Sequence, residues 1–318
     1  MMFHVSLLVP AAAGLYLYLL LVSSVYIASA LSMSAIINPP TPVTWSNRLG
    51  RTLTPVATGV WAAERPFTWN TIDVGGRSVI CRAGDGTLLV HSPVGWNEEL
   101  GRCLEALGGG VGHVVSPNYE HLKYAAQWAE VYPDAKMWAC PGLRERLPDI
   151  EWAGELGVDP NPMEFEDAVE YVHFDCEINP FTGRPFFNEV AFFHTKSKTL
   201  FMADIFWNYP KGPLPNYCGR EGTGMLHECP KMPADYTGDT LPAIEVPLGT
   251  KLWKAGMDKV YLPFYKNFMV GREGERRERY ERAVAQVLEW EPEVIAPCHG
   301  DVIRGKDLCR EVLREHFF

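Results

Sequence analysis

The chain has 318 residues, of which 47% are hydrophobic and 21% are charged, and its formal net charge is −10. This length is enough to bury a large core, and the acidic balance argues against a nucleic-acid partner, because phosphates need Lys and Arg for neutralisation. The eight cysteines contain no C-x-x-C pair, which disfavours a zinc ribbon or a thioredoxin-like motif.

Residues 1–31 predict a segment that is directed to a membrane. Val5 to Leu31 is almost entirely apolar, and no Asp, Glu, Lys or Arg precedes Arg48, so a helix here is long enough to cross a hydrocarbon core of about 30 Å. Ala28-Ser29-Ala30 suits cleavage by a signal peptidase, whereas the positive charge at Arg48 would hold the domain on the cytosolic side of a retained anchor. A signal peptide and a transmembrane anchor are therefore both open, and the expected location is a membrane or the endomembrane and secretory system.

Residues 32–55 predict an extended linker, because they contain Asn38-Pro39-Pro40-Thr41-Pro42. Residues 56–318 predict one domain. Within it, residues 209–247 are rich in Pro and Gly and predict a long loop. Cys218 and Cys229 in this loop would form a disulfide in an oxidising compartment.

Short β-like runs alternate with amphipathic helices along the domain. Residues 77–82 and 87–91 flank Gly84-Asp85-Gly86 and predict a hairpin, and Asn97 predicts the N-cap of a helix with one apolar face. Further strands are predicted at 113–115, 136–139, 189–194, 199–203 and 294–296, and further helices at 122–131 and 280–288. Two β-rich halves with helices outside predict an α/β fold, a four-layer αββα sandwich.

Polar side chains stand where several of these apolar strands end, and a polar group there must be solvated, paired or bound to a ligand. Asp204 and His299 each follow a strand, and His121 opens a helix. His91 ends another strand, and Asn118 follows Pro117 in a turn. For each of these residues, a structural hydrogen bond is the alternative to a role in a site.

The hairpin formed by residues 189–203 determines which side chains lie near Asp204. Asn188 and Glu189 are paired across from it. His194 sits beside the turn instead, roughly 16 Å from Asp204 at about 3.3 Å per residue. We therefore exclude His194 from the site.

The landmarks in this order resemble the metallo-β-lactamase superfamily over roughly residues 55–318. The matching segments are Leu88 to Pro93, His113 to His121, Thr199 to Asp204 and Ala296 to Gly300. More closely, Ser116-Pro117-Asn118, Tyr132 to Ala135, Glu189 to Asp204 and His299-Gly300-Asp301 resemble the branch called domain of unknown function 4336, seen mostly in photosynthetic organisms. Ala28-Ser29-Ala30 also resembles the cleavage region of the plastid presequences of some algae, which implies a plastid location.

The resemblance places Asp204 at the metal-bridging aspartate and His299 at the last ligand, but other ligands of the family are missing. Pro117 and Tyr119 align with two ligand histidines, and residues 184–188 lack a third. A dinuclear zinc site needs about four ligands per metal. The resemblance therefore implies a degenerate site with no metal or one divalent ion (Zn, Mn or Fe). The expected ligands are His121, Asp204 and His299, the catalytic pair is Asp204 and His299, and the pocket lining is His91, Asn118, Glu189 and Asp301.

Two classes of function follow from this site. The first is a hydrolase in which one metal ion, or the bare pair Asp204–His299, activates water. The second is a non-catalytic member of the fold whose pocket binds a small molecule or a partner. A third, weaker hypothesis is that Tyr217, Met225 and Leu226 of the long loop dock on a partner or a lipid.

Overall fold

The structure is a computed structural model that describes residues 41–159, 168–210 and 245–318. The predicted membrane segment, most of the long loop and the predicted Cys218–Cys229 bridge lie outside these residues. Within the described ranges, none of the helices combines the length and the apolar character needed to cross a membrane. The six cysteines there are buried and form no disulfide.

The first half of the chain supplies a seven-stranded sheet. Its chain-order elements are β1 (Thr54–Ala57), β2 (Val60–Arg65), β3 (Thr68–Trp69), β4 (Ile72–Asp73), β5 (Gly76–Arg82), β6 (Leu88–His91), β7 (Val111–Ser116), β8 (Lys136–Ala139) and β9 (Trp152–Glu155). The order in the sheet is β1-β2-β5-β6-β7-β8-β9, while β3 and β4 form a separate hairpin. Strands β6 to β9 run parallel to one another.

The second half supplies a five-stranded sheet in chain order: β10 (Val169–His173), β11 (Val190–His194), β12 (Thr199–Met202), β13 (Val294–Pro297) and β14 (Ile303–Arg304). Strands β12 and β13 are parallel, with Met202 opposite Pro297. Because parallel strands end at the same edge of a sheet, the residues that follow them, Asp204 and His299, emerge side by side.

Seven helices flank the described parts of the sheets: α1 (Glu98–Leu107), α2 (Ala125–Val131), α3 (Leu143–Arg146), α4 (Leu248–Gly256), α5 (Leu262–Phe264), α6 (Glu275–Glu289) and α7 (Lys306–Phe317). Two π-helical turns, Met257–Tyr261 and Tyr265–Met269, make α4 and α5 one continuous helical stretch. The side chain of Asn97 accepts the N–H of Leu100 and caps α1 as predicted. Neither the stretch 248–269 nor α7 was predicted from the sequence.

Successive side chains along β11 and β12 point alternately to the two faces of the second sheet, and this shows how the layers of the fold stack. Phe192 and Phe201 belong to the hydrophobic cluster of the first sheet, which also holds buried residues of α1 and α2. Their neighbours Phe193 and Leu200 point the other way, into a cluster with α6 and α7. The prediction of an α/β fold with several sheets is confirmed, and this alternation gives the order helix, sheet, sheet, helix. The hydrophobic N-terminal helix of that prediction lies outside the described residues.

Residues 41–55 are not the extended linker that their prolines predicted. Trp45, Asn47 and Thr52 are buried, and the indole N–H of Trp45 donates to Asp73 at 2.8 Å. Arg48 forms a buried ion pair with Asp301, at the other end of the chain. The segment is ordered by these tertiary partners, which local composition does not reveal.

Candidate functional site

Three of the predicted site residues converge at one end of the two sheets. The ligand atoms of His121, Asp204 and His299 all lie within 4.8 Å of one another. Nε2 of His121 is 3.1 Å from Oδ2 of Asp204, and Nε2 of His299 is 3.4 Å from Oδ1 of the same carboxylate. The structure therefore brings together side chains from the loops that follow β7, β12 and β13.

Backbone carbonyl groups orient the ring of His299. Its Nδ1 lies 2.8 Å from the oxygen of Gly75 and 3.3 Å from that of Val74. Because a carbonyl oxygen only accepts, Nδ1 carries the proton in the neutral ring, and the lone pair of Nε2 faces Asp204. Burial lowers the pKa of His299, but the Asp204 carboxylate and the two carbonyls outweigh burial, so its pKa is raised above the ordinary value.

Gly300 allows the main chain to close tightly behind His299. Its φ is +94°, and a Cβ atom at this position would lie 2.1 Å from the backbone oxygen of Asn208. The N–H of Asn208 donates to the carbonyl of His299 at 3.0 Å. Glycine is required here both for the backbone conformation and for the close approach of the two chain segments.

His121 is held by Ser92, a residue that the sequence did not single out. The Ser92 hydroxyl hydrogen-bonds Nδ1 of His121, which directs Nε2 to Asp204. Ser92 adopts a φ of +54°, in the left-handed region that non-glycine residues rarely occupy. The available signal was its place as the first polar residue after β6.

The Asn118 side chain hydrogen-bonds residues of the site from the side away from the cavity. Its Nδ2 donates to Oε2 of Glu189 at 2.9 Å and to Oδ2 of Asp204 at 2.8 Å. Its Oδ1 accepts the N–H groups of Glu120 at 3.0 Å and His121 at 2.8 Å. The side chain is fully buried, so Asn118 holds His121 and Asp204 in place. The prediction that Asn118 lines the cavity is wrong.

Glu189 is likewise buried behind Asp204 and not at the cavity wall. Its carboxylate accepts the backbone N–H groups of Ala203, Asp204 and Ile205 at 2.7, 2.6 and 3.1 Å. Burial, with the nearby charge of Asp204, raises the pKa of Glu189 to about 8 despite these hydrogen bonds. Burial also raises the pKa of Asp204, but His121 and His299 outweigh it and hold that pKa well below its usual range.

His91 and Asp301 do not line the cavity either. His91 is fully buried, with the rings of Phe192 and Phe201 each 5.2 Å from its own, because the alternation of β6 turns it between the sheets. Burial lowers its pKa to about 3. Asp301 is buried against Arg48. His194 hydrogen-bonds Ser197 at the β11–β12 turn, away from the site.

The site residues open into a cavity of about 290 Å³ with largely aromatic walls. The β3–β4 hairpin, the helical stretch that begins with α4 and the segment after β12 contribute Trp69, Trp253, Tyr261, Trp207 and Tyr209 to these walls. Aromatic residues of the lining include Phe67, Trp69, Phe187, Trp207, Trp253 and Tyr261. His121, Asp204 and His299 thus lie at the polar floor of an apolar pocket.

Two imidazole nitrogens and one carboxylate oxygen form a donor set suited to a divalent ion such as Zn²⁺, and three protein ligands leave a coordination position for a reactant. Tyr119, aligned with a missing ligand, donates its hydroxyl to the carbonyl of Pro141 at 2.8 Å. Among the described residues, His121, Asp204 and His299 are the cluster of three candidate ligands. The residues present fit one metal ion, and the described ranges supply no ligand set for a second.

The model of the family called domain of unknown function (DUF4336) matches residues 58–240, more than half of the chain. No curated protein matches the sequence. Among solved structures, the chain is similar to the metallo-β-lactamase DIM-1, with 12% identity and a TM-score of 0.47 over 83% of this chain and 95% of that one. It is also similar to a metallo-β-lactamase from Hirschia baltica, with 11% identity and a TM-score of 0.47 over 83% and 95% of the two chains. The metallo-β-lactamase FIM-1 from Pseudomonas aeruginosa, in its mono-zinc form, has 14% identity and a TM-score of 0.45 over 84% and 96%.

Proposed function

Because the chain belongs to the family of the domain of unknown function 4336 and brings His121, Asp204 and His299 together, we propose that it is a hydrolase that uses at most one divalent metal ion. The observation that carries the proposal is the approach of the three ligand atoms to within 4.8 Å of one another. Zn, Mn and Fe each accept nitrogen and carboxylate donors of this kind.

A bound divalent ion would supply Lewis acidity at the floor of the cavity. Asp204 and the Nε2 atoms of the two histidines would hold it, while Ser92 and the Gly75 carbonyl keep the imidazole rings in the required orientation. In the metal-free form of the proposal, Asp204 and His299 share a proton and act as the acid–base pair that activates water. The aromatic walls leave the side chains of His121 and Asp204 only 14% exposed.

The alternative is a non-catalytic member of the family that binds a small molecule or a partner. It is supported by Pro117 and Tyr119, which occupy the positions aligned with two missing ligand histidines, and the Tyr119 hydroxyl makes a structural hydrogen bond instead. A fold alone does not confer activity, so the alternative stands beside the hydrolase until turnover is measured.

The experiment is a metal analysis and a hydrolysis screen on the full-length protein, with His299→Ala as the site variant. The screen covers ester, thioester, lactone and phosphodiester substrates. The proposal expects up to one metal ion per chain and at least one turnover reaction that His299→Ala abolishes. Turnover that survives in both His299→Ala and Asp204→Ala would contradict the assignment of the activity to this site. No turnover at all, with or without metal, would favour the non-catalytic alternative.

We also propose that residues 1–31 bring the domain to a membrane, in the secretory system or a plastid. The support is the apolar run Val5–Leu31 and the absence of charged residues before Arg48. Fractionation of cells that express the full-length chain and a chain lacking residues 1–31 tests this. Equal membrane association of the two chains would contradict it.

A further inference from the structure

Two of the tryptophans of the cavity, Trp207 and Trp253, use their indole N–H groups within the protein. The indole N–H of Trp207 donates to Asp258 at 2.9 Å, and that of Trp253 donates to the hydroxyl of Tyr209 at 3.2 Å. The rings of Trp69 and Trp253 are 4.9 Å apart, and Trp69 is 45% exposed at the rim. Trp207 and Trp253 therefore offer carbon surface to a ligand, and the ring of Trp69 extends this surface to the rim.

The charged groups of the described lining either bind other groups of the protein or stand near a group of opposite charge. Arg77 is buried and donates to Glu64 and to the carbonyl of Pro297. Asp204 faces both histidines. At the rim, Glu120 and Lys123 are exposed and opposite in sign, and Nζ of Lys123 lies 4.9 Å from the ring centre of Phe67. In the metal-free site, a charged ligand would lose its hydration without meeting a surplus of opposite charge among the described lining residues.

We propose that the cavity binds a small uncharged molecule built on a flat, apolar ring system, with Trp69 and Trp253 as its main stacking surface. A volume of about 290 Å³ suits a ligand of about a dozen heavy atoms, at the small end of ligand pockets. The inference rests on the same cavity as the proposed function and names the class of molecule that enters it. Phosphorylated and multiply charged metabolites fit the metal-free site poorly, because the described part of the lining has no surplus of positive charge.

The test uses three probes that share one ring system and differ in charge: 2-naphthylmethanol, 2-naphthylmethylammonium and 2-naphthoate. Binding to the full-length protein is measured by calorimetry in the presence of a chelator, so that a metal ion does not attract the anion. The neutral probe is expected to bind at least about tenfold more tightly than either charged probe. A charged probe that binds as tightly as the neutral one, or no binding of any probe, overturns the inference.

Trp69→Ala provides the site variant, since a half-exposed residue of a short hairpin is replaced at little cost to the fold. Phe181→Ala is the matched control, because Phe181 is an aromatic residue that is 85% exposed and lies outside the cavity lining. Trp69→Ala should weaken binding of 2-naphthylmethanol by about three- to tenfold, and Phe181→Ala should leave it unchanged. Equal affinity of Trp69→Ala and the wild type would refute the stacking surface.

These results separate this inference from the proposed function. Probe binding is measured without metal and without turnover, so a protein that lacks hydrolytic activity can still bind the neutral probe selectively. A protein that hydrolyses substrates through His299 but does not prefer the neutral probe refutes only the ligand class.

Discussion

Nε2 of His121 and Nε2 of His299 lie 3.3 Å apart, and both face the carboxylate of Asp204. The Gly75 carbonyl holds a proton on Nδ1 of His299, so Nε2 of a neutral His299 ring carries no proton. With both rings neutral, at most one proton, on Nε2 of His121, lies among the two Nε2 atoms and the carboxylate of Asp204. An additional proton or a divalent cation satisfies all three groups. The cluster is therefore built to hold positive charge.

The first prediction is that His121, Asp204 and His299 bind one zinc ion. His299→Ala and Asp204→Asn should each lower zinc affinity by more than about 100-fold, because loss of a ligand exceeds the effect of losing an outer partner. Calorimetric titration of the full-length protein gives both stoichiometry and affinity. His194→Gln is the control, because His194 lies at the far turn of the same sheet, and a comparable loss in this variant would contradict the assignment.

The second prediction concerns pH. Zinc must displace any proton from Nε2 of His299, whose pKa is raised because Asp204 and two carbonyls outweigh burial. The protonated ring thus persists to higher pH than in an ordinary histidine, and zinc affinity should fall up to about tenfold for each pH unit below that raised pKa. Asp204 does not compete over this range, because its own pKa is held far lower. Zinc titrations between about pH 6 and pH 9 measure the slope, and a flat profile would disprove proton competition at His299.

The elements of the site that could be predicted from sequence are those fixed by strand ends. Asp204 and His299 each follow an apolar strand, and parallel pairing of the two strands places them side by side. His91 also ends a strand, but side chains alternate along β6 and its ring points between the sheets. A strand end predicts the edge of the sheet where a residue lies. The face of the sheet to which its side chain points depends on the exact position along the strand, because successive side chains alternate between the two faces.

Features that depend on distant partners escaped prediction. Residues 41–55 resemble a linker by composition, yet Trp45 and Arg48 are held by Asp73 and Asp301. Asn118 looks like an ordinary turn residue after a proline, and two of its hydrogen bonds are indeed local. Its bonds to Glu189 and Asp204 form only when β7, β11 and β12 are assembled. Such roles arise from tertiary contacts that no local pattern records.

The third prediction is that Asn118→Leu destabilises the fold. The change removes the donor shared by Glu189 and Asp204 and the acceptor for two backbone N–H groups. Buried groups left without partners should lower the free energy of unfolding by about 3 kcal/mol. Urea denaturation measures the change, with Asn267→Leu as a control because the hydrogen bonds of Asn267 are exposed. An equal effect of the two substitutions would show that the buried network contributes nothing.

The fourth prediction uses Glu177, whose burial raises its pKa to about 7. Its Oε1 accepts the backbone N–H groups of Phe187 and Asn188, whereas Oε2 has no hydrogen-bond partner. In the unfolded chain the carboxyl ionises near pH 4.5, so from there to about pH 7 the unfolded state loses its proton first and native stability falls.

Glu177→Gln removes this titration. The difference in unfolding free energy, variant minus wild type, should rise by about 3 kcal/mol between about pH 4 and pH 8. Burial of the new amide at position 177 changes the unfolding free energy of the variant by a constant amount, but this amount does not depend on pH and leaves the expected rise unaltered. Denaturation curves at several pH values provide the measurement, and a difference that stays constant with pH would mean that Glu177 is ionised throughout.

The fifth prediction separates the two properties of Ser92. Ser92→Ala and Ser92→Gly both delete the hydroxyl that hydrogen-bonds His121, and each should weaken zinc binding by about 10- to 100-fold, the usual effect of losing an outer-shell partner. Only glycine also relieves the left-handed backbone at a φ of +54°. Ser92→Gly should therefore be more stable than Ser92→Ala by roughly 0.5–1 kcal/mol in urea denaturation. If Ser92→Ala retains the wild-type zinc affinity, the hydroxyl does not position His121, and if the two variants are equally stable, the backbone at residue 92 stores no strain.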